Sequence, residues 1–197
     1  MEPPPQDQDP SKAITRAILD IVAKVPTTNE PTSPVPKERA REIARAASVK
    51  AAALSGAMTL PPGPLGLLTV LPDLYSVWRI QAQMVADIAA AYGRTSELSQ
   101  NQMLYCLFRH AAAQLFRDLV TRVGERFLFQ RVSLQLIQSI ARRLGVRLSQ
   151  RVIAQSVSRW MPVVGAFGMA GYAAWDTYHV GQTAIEVFSN PHEHNDA

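Results

Sequence analysis

Cysteine occurs once in this chain of 197 residues, as Cys106. A single thiol cannot build an intramolecular disulfide framework or a multi-cysteine zinc site, and it fits a reducing compartment most simply. Lysine is absent after Lys50, so every strongly basic side chain beyond it is arginine. Charged residues are only 18% of the chain against 47% hydrophobic, which excludes a wholly disordered protein and calls for a large buried fraction or a lipid-facing surface. Long catalytic motifs are missing too. There is no G-x-x-x-x-G-K followed by Ser or Thr, no G-x-G-x-x-G, no G-x-S-x-G and no H-E-x-x-H. A phosphate-cradling loop, a dinucleotide site, an esterase elbow and a zincin site therefore have no support. No stretch alternates at period two and no repeat of fixed period is visible, so the fold class is all-α.

What is present is helical periodicity broken by proline and glycine. Residues 1–10, MEPPPQDQDP, have neither the basic nor the apolar region of a leader and read as a disordered Pro-rich tail. Residues 11–25 place Ile14, Ile18, Ile21, Val22 and Val25 on one helical face. The prolines of residues 26–36 make that stretch a linker. A helical domain over residues 37–190 follows, with a second tail at 191–197. Its first helix is rich in Ala, Glu, Arg and Lys up to the break at Pro61, Pro62, Gly63 and Pro64. The next runs through Leu74, Val77, Trp78, Met84, Val85, Ile88 and Tyr92, with Pro72 and Asp73 in its first turn and Gly93 as a left-handed C-cap. Another is expected over 99–126, two shorter ones over 132–144 and 148–160 split near Gly145, and a last one over 163–188 opened by Pro162.

Two uncharged runs raise a membrane question. The 22 residues between Lys50 and Asp73 are long enough to cross a bilayer. Three central prolines spoil a single span, however, and favour a buried helical hairpin or a shallow re-entrant wedge. The run from Trp160 to Trp175 is 16 residues and too short. Within it Gly165, Gly168 and Gly171 alternate with Ala166, Ala170 and Ala174 to make a face with almost no side chain. Such a face either packs closely on the Ala-rich helix of residues 40–57, giving a compact bundle with a Gly/Ala-rich helix pair, or belongs to a lipid-inserted hairpin. Trp78, Trp160 and Trp175 suit a lipid interface or, more plainly, a core.

Charge is unevenly placed. Between Arg109 and Arg159 there are ten arginines and only two acids, Asp118 and Glu125. Arg143, Arg147 and Arg151 are spaced by four beside an apolar row of Leu136, Ile140, Leu144, Leu148 and Val152. With Arg142 and Arg159 they form a candidate surface for anionic lipid or an acidic partner; a solvated Arg face is the plainer alternative. Nucleic acid competes for such arginines, but no helix-turn-helix, zinc finger or stacking platform accompanies them, and it is set aside.

Asp176 and His179, three apart on the last helix, form with Glu186 the one grouping to weigh as an acid/base or metal constellation. No nucleophile accompanies them, and an ordinary polar contact explains them more simply. Cys106 reads as a small core residue, and His192 and His194 as part of the terminal tail. No catalytic residue, metal site or cofactor is assigned.

Two blocks carry a resemblance. AALSGAMTLPPGPLGLLTVLPDLYSVWRIQAQMVADIAAAYG, residues 52–93, and RWMPVVGAFGMAGYAAWDTYHVGQTAIEVF, residues 159–188, are similar to the EcsC family. The match extends over about residues 40–189 and rests on Gly56, Gly63, Pro72, Asp73, Gln81, Tyr92, Gly93, Pro162, Gly165, Gly171, Asp176 and Gly181. The resemblance implies an all-helical bacterial protein, in some cases encoded beside an ABC transporter, with no agreed catalytic residues. Composition and charge lead to the expectation of a non-enzymatic, cytoplasmic helical protein, peripheral on the inner membrane face; a role accessory to a transporter or secretion system is what the resemblance implies. The alternatives are an enzyme acting on a lipid or other hydrophobic substrate, and a soluble adaptor that binds a protein partner through its Pro-rich tail.

Overall fold

The computed structural model describes residues 9–58, 66–113, 115–117, 133–156 and 162–189, and its description of side chains excludes residues 57–71, 73, 151–167 and 169. Residues 1–8, the break expected around Pro61 and residues 190–197 lie outside these residues, while the last two residues of the expected 1–10 tail belong to α1, Asp9 as its cap and Pro10 as its first residue. Among the described residues every regular element is helical. In chain order they are α1 (Pro10–Ala23), α2 (Pro36–Met58), α3 (Gly66–Ala91), a 3-10 turn (Thr95–Glu97), α4 (Gln100–Phe108), α5 (Leu134–Ser156) and α6 (Pro162–Ser189). The protein is all-α.

Local chemistry sets the ends. Asp9 caps α1 by accepting from the Ser11 amide at 2.9 Å and the Ser11 hydroxyl at 2.7 Å. Ser99 and Gln102 form a reciprocal capping box at α4. Gly93, at φ 71°, ends α3 as expected. Its amide bonds Ala90 O at 2.7 Å and the Arg94 amide bonds Ala89 O at 2.8 Å, the double closure of a Schellman motif.

α2 lies along α6, and α3 packs against both; α1 joins α5 to α3 and α4. Ile14, Ile18, Ile21 and Val22 of α1 are buried in the same core as Ala44, Ile88, Leu104, Leu144 and Val180, so one core is shared by all six helices. Residues 24–35 are not helical, against an expected linker of 26–36: α1 ends before Lys24 and Val25, and Pro36 opens α2. The stretch is nevertheless tied to α3 and α2. Thr28 Oγ1 donates to Asp87 at 2.6 Å, the Ser33 amide to Ala91 O at 3.0 Å, and Arg39 holds Glu30 through two bonds of 2.7 and 3.0 Å.

Several expectations need correction. α5 is one helix rather than two split near Gly145. A Cβ at Gly145 would stand 2.1 Å from Thr15 Oγ1 and 2.7 Å from Ser11 O, so this glycine serves the close approach of α1 and does not end a helix. α3 starts at Gly66, which places Pro72 inside it instead of in the first turn. Pro72 is exposed, where the loss of one ladder bond is tolerable. The helix expected over 99–126 stops at Phe108 and passes through turns at residues 109–112 before helical geometry resumes. Arg109 and His110, adjacent at this break, both engage α6.

The Gly/Ala helix pair is present in α2 and α6, and among the described residues Gly181 and Gly56 make its close approaches; Gly165 and Ala166 lie outside the residues whose side chains are described. A Cβ at Gly181 would meet that of Ala44 at 2.7 Å, and one at Gly56 that of Ala170 at 3.8 Å. Gly168 and Gly171, expected inside such a contact, have nothing within 4 Å of a Cβ and are exposed.

Candidate functional site

Asp176 is the centre of a polar cluster inside the bundle. Its Oδ1 lies 2.5 Å from His110 Nε2, and its Oδ2 accepts from Gln81 Nε2 at 2.7 Å. The same Gln81 nitrogen donates to Thr177 Oγ1 at 3.1 Å. Three places in the chain thus converge: Gln81 on α3, His110 in the turn after α4, and Asp176 with Thr177 on α6. Gln81 and Thr177 are buried, while the His110 and Asp176 side chains are 17% and 14% exposed.

The carboxylate dictates the polarity of its neighbours. A carboxylate oxygen only accepts, so Nε2 of His110 is the donor and, in the neutral ring, Nδ1 holds a lone pair. Gln81 turns its amide nitrogen to Asp176 for the same reason. Among the described residues His110 Nδ1 and Gln81 Oε1 are buried without a partner. A carboxylate-backed imidazole with its second nitrogen unpaired has the chemistry of a proton acceptor.

His179 does not bond Asp176. Its ring stacks on that of His110 at 6.2 Å and 25°, and meets the exposed Trp175 edge-on at 4.3 Å. Glu186 pairs with Arg109 instead. The grouping of Asp176, His179 and Glu186 read from helical spacing is therefore divided. Among the described residues no three His, Cys, Asp or Glu side chains gather to hold a metal ion. His110 and Gln81 were missed as members of the cluster, because their partner stands 66 and 95 positions away in sequence. Cys106 is buried, and burial pushes its thiol up to about 12, which leaves it without nucleophilic character at neutral pH. Trp78 is likewise core, edge-on to Phe108 at 5.1 Å.

The arginine surface is on α5. Because that helix runs through Gly145, Arg142, Arg143 and Arg147 share its exposed side with Val146, while Ile137, Ile140, Ala141 and Leu144 face the core. None of the three has a carboxylate partner among the described residues. Arg151 continues the row by spacing; its side chain, and the whole of Arg159, lie outside those described. No helix among the described residues is long and apolar enough to cross a membrane.

Residues 34–190 match the family model of the EcsC protein family. The chain belongs to the EcsC family. No curated protein and no solved structure matches it. In this EcsC protein several of the residues that carry the resemblance do identifiable work: Gln81 and Asp176 bond one another, Gly93 closes α3, and Gly181 admits α2. The EcsC match begins after α1, although α1 supplies part of the core.

Proposed function

We propose that this EcsC-family protein is a non-enzymatic protein that docks peripherally on an anionic membrane surface, on the cytoplasmic side, as an accessory to a transporter or secretion partner. One observation carries the reading: the unbroken α5 presents Arg142, Arg143 and Arg147 on one exposed side, unpaired among the described residues and interleaved with the exposed Val146. Each arginine near an anionic bilayer contributes about 1 kcal/mol, so three supply about 3 kcal/mol, roughly a hundredfold in affinity. Guanidinium groups suit lipid phosphates through their planar fork of donors. Flotation with anionic and neutral liposomes tests the reading. Binding should require anionic lipid, weaken as salt rises, and disappear when the three arginines are replaced by Glu.

A second reading rests on the Asp176 and His110 pair. Here the protein is an enzyme on a lipid or another hydrophobic substrate, with His110 as base and Asp176 as its orienting carboxylate. Hydrolysis of acyl esters by the wild type and by a folded Asp176→Asn variant decides it. Equal rates would remove this reading.

A further inference from the structure

A cleft of about 560 Å³ opens between the end of α1, residues 24–27 and the outer side of α3, apart from both the Asp176 cluster and the α5 arginines. Its volume falls in the ordinary range of small-molecule sites, about 300–1,000 Å³. Ile21, Val25 and Pro26 supply an apolar wall, and Lys24, Tyr75 and Arg79 supply polar groups.

The state of those groups defines what the cleft can hold. Asp20, the carboxylate in the wall, is already engaged: its Oδ1 lies 2.6 Å from Lys24 Nζ and its Oδ2 accepts from Tyr75 OH at 2.6 Å. Asp87, two turns beyond Arg79 on α3, is engaged by Thr28 and Gln83. Lys24 keeps two of its three N–H donors, and the Asp20 hydrogen bond pushes its titration further up, so its charge persists. Arg79 lies within electrostatic reach of Lys24 and Tyr75, is exposed, and has no carboxylate partner among the described residues. Two like charges thus face one cleft with a single carboxylate between them, and the unused hydrogen-bonding capacity is mostly donor. A cation is disfavoured by both charges, and an anion with several acceptor oxygens makes the fullest use of the free donors.

We propose that this cleft binds a phosphoryl group, gripped by Arg79 and Lys24, with the carbon skeleton of its ester against Ile21, Val25 and Pro26. With Asp20 counted the cleft keeps a net positive charge, and the three acceptor oxygens of a phosphate monoester can take the Arg79 fork and the free Lys24 donors together, where a carboxylate offers two. The phosphoryl group comes either from a soluble monoester or from the head of phosphatidic acid.

Calorimetric titration of the full chain with glycerol 3-phosphate, and with glycerol as control, tests the site directly. Lys24 and Arg79 are both exposed, so Lys24→Gln and Arg79→Gln keep the fold, which melting curves check. The expected result is binding of glycerol 3-phosphate but not glycerol, weakened about tenfold or more in each variant. Vesicles of phosphatidylcholine with and without phosphatidic acid form the second arm, using a protein in which Arg142, Arg143 and Arg147 are replaced by Gln to remove the α5 contribution. Arg79-dependent binding to phosphatidic acid alone would assign the group to a lipid head. Failure of both probes, or binding unchanged in both cleft variants, would overturn the proposal, whatever the outcome for α5.

Discussion

A methyl group added at Gly145 would stand 2.1 Å from Thr15 Oγ1 and 2.7 Å from a backbone oxygen of α1, whereas one added at Gly171 would meet nothing within 4 Å. Both glycines are inside helices, where alanine is favoured by about 1 kcal/mol. At Gly171 that gain stands alone, so Gly171→Ala is expected to stabilise by up to ~1 kcal/mol in urea unfolding. At Gly145 overpacking costs about 1–3 kcal/mol and outweighs it, so Gly145→Ala is expected to destabilise. Stabilisation at both positions would mean that α1 is not seated on α5 as described. The same contrast explains a misreading: a glycine in a helical pattern marks either a terminus or a close approach, and only the neighbour, here Thr15 and Ser11, decides between them. Gly93 could be read because its role is local. His110 could not, since nothing near it in sequence names Asp176 as its partner.

At the scale of elements, α1 is the informative one. Its apolar spacing was legible, and the structure buries Ile14 and Ile18 almost completely. A chain starting at residue 34 would retain the EcsC match and lose part of the core. Ile18→Ala is expected to cost about 2–5 kcal/mol in urea unfolding. A partner lost on deleting residues 1–36 would therefore not identify the Pro-rich tail as its binding segment unless deletion of 1–8 had the same effect. The linker after α1 adds a pH dependence. The Arg39 hydrogen bond holds the Glu30 carboxyl below its ordinary 4.5. A lowered folded value stabilises above the unfolded one and is lost as pH falls through it. Stability should decline below about pH 4.5, and Glu30→Gln should flatten that part of the profile; identical wild-type and variant profiles would show that the pair contributes nothing. The linker's prolines announced a break in helix, but not the bonds from Thr28 and Ser33 that fasten it to α3.

The whole molecule offers different chemistry on α5 and on α6. α5 stands beyond α1 and offers arginine, while α6 packs on α2, α3 and α4 and exposes Trp175 and Tyr178. Helical class and the position of the arginines were readable from composition and spacing. That the arginines share one exposed side depended on α5 running through Gly145, which propensity alone argued against. The central claim is that this side binds an anionic membrane. The most direct measurement is flotation of the full chain with phosphatidylglycerol-containing liposomes, beside the Arg142→Glu, Arg143→Glu, Arg147→Glu triple variant, at low and high salt. The account predicts wild-type flotation that fades as salt rises and is absent in the variant. Equal flotation of the two proteins, or none for the wild type at low salt, would contradict it.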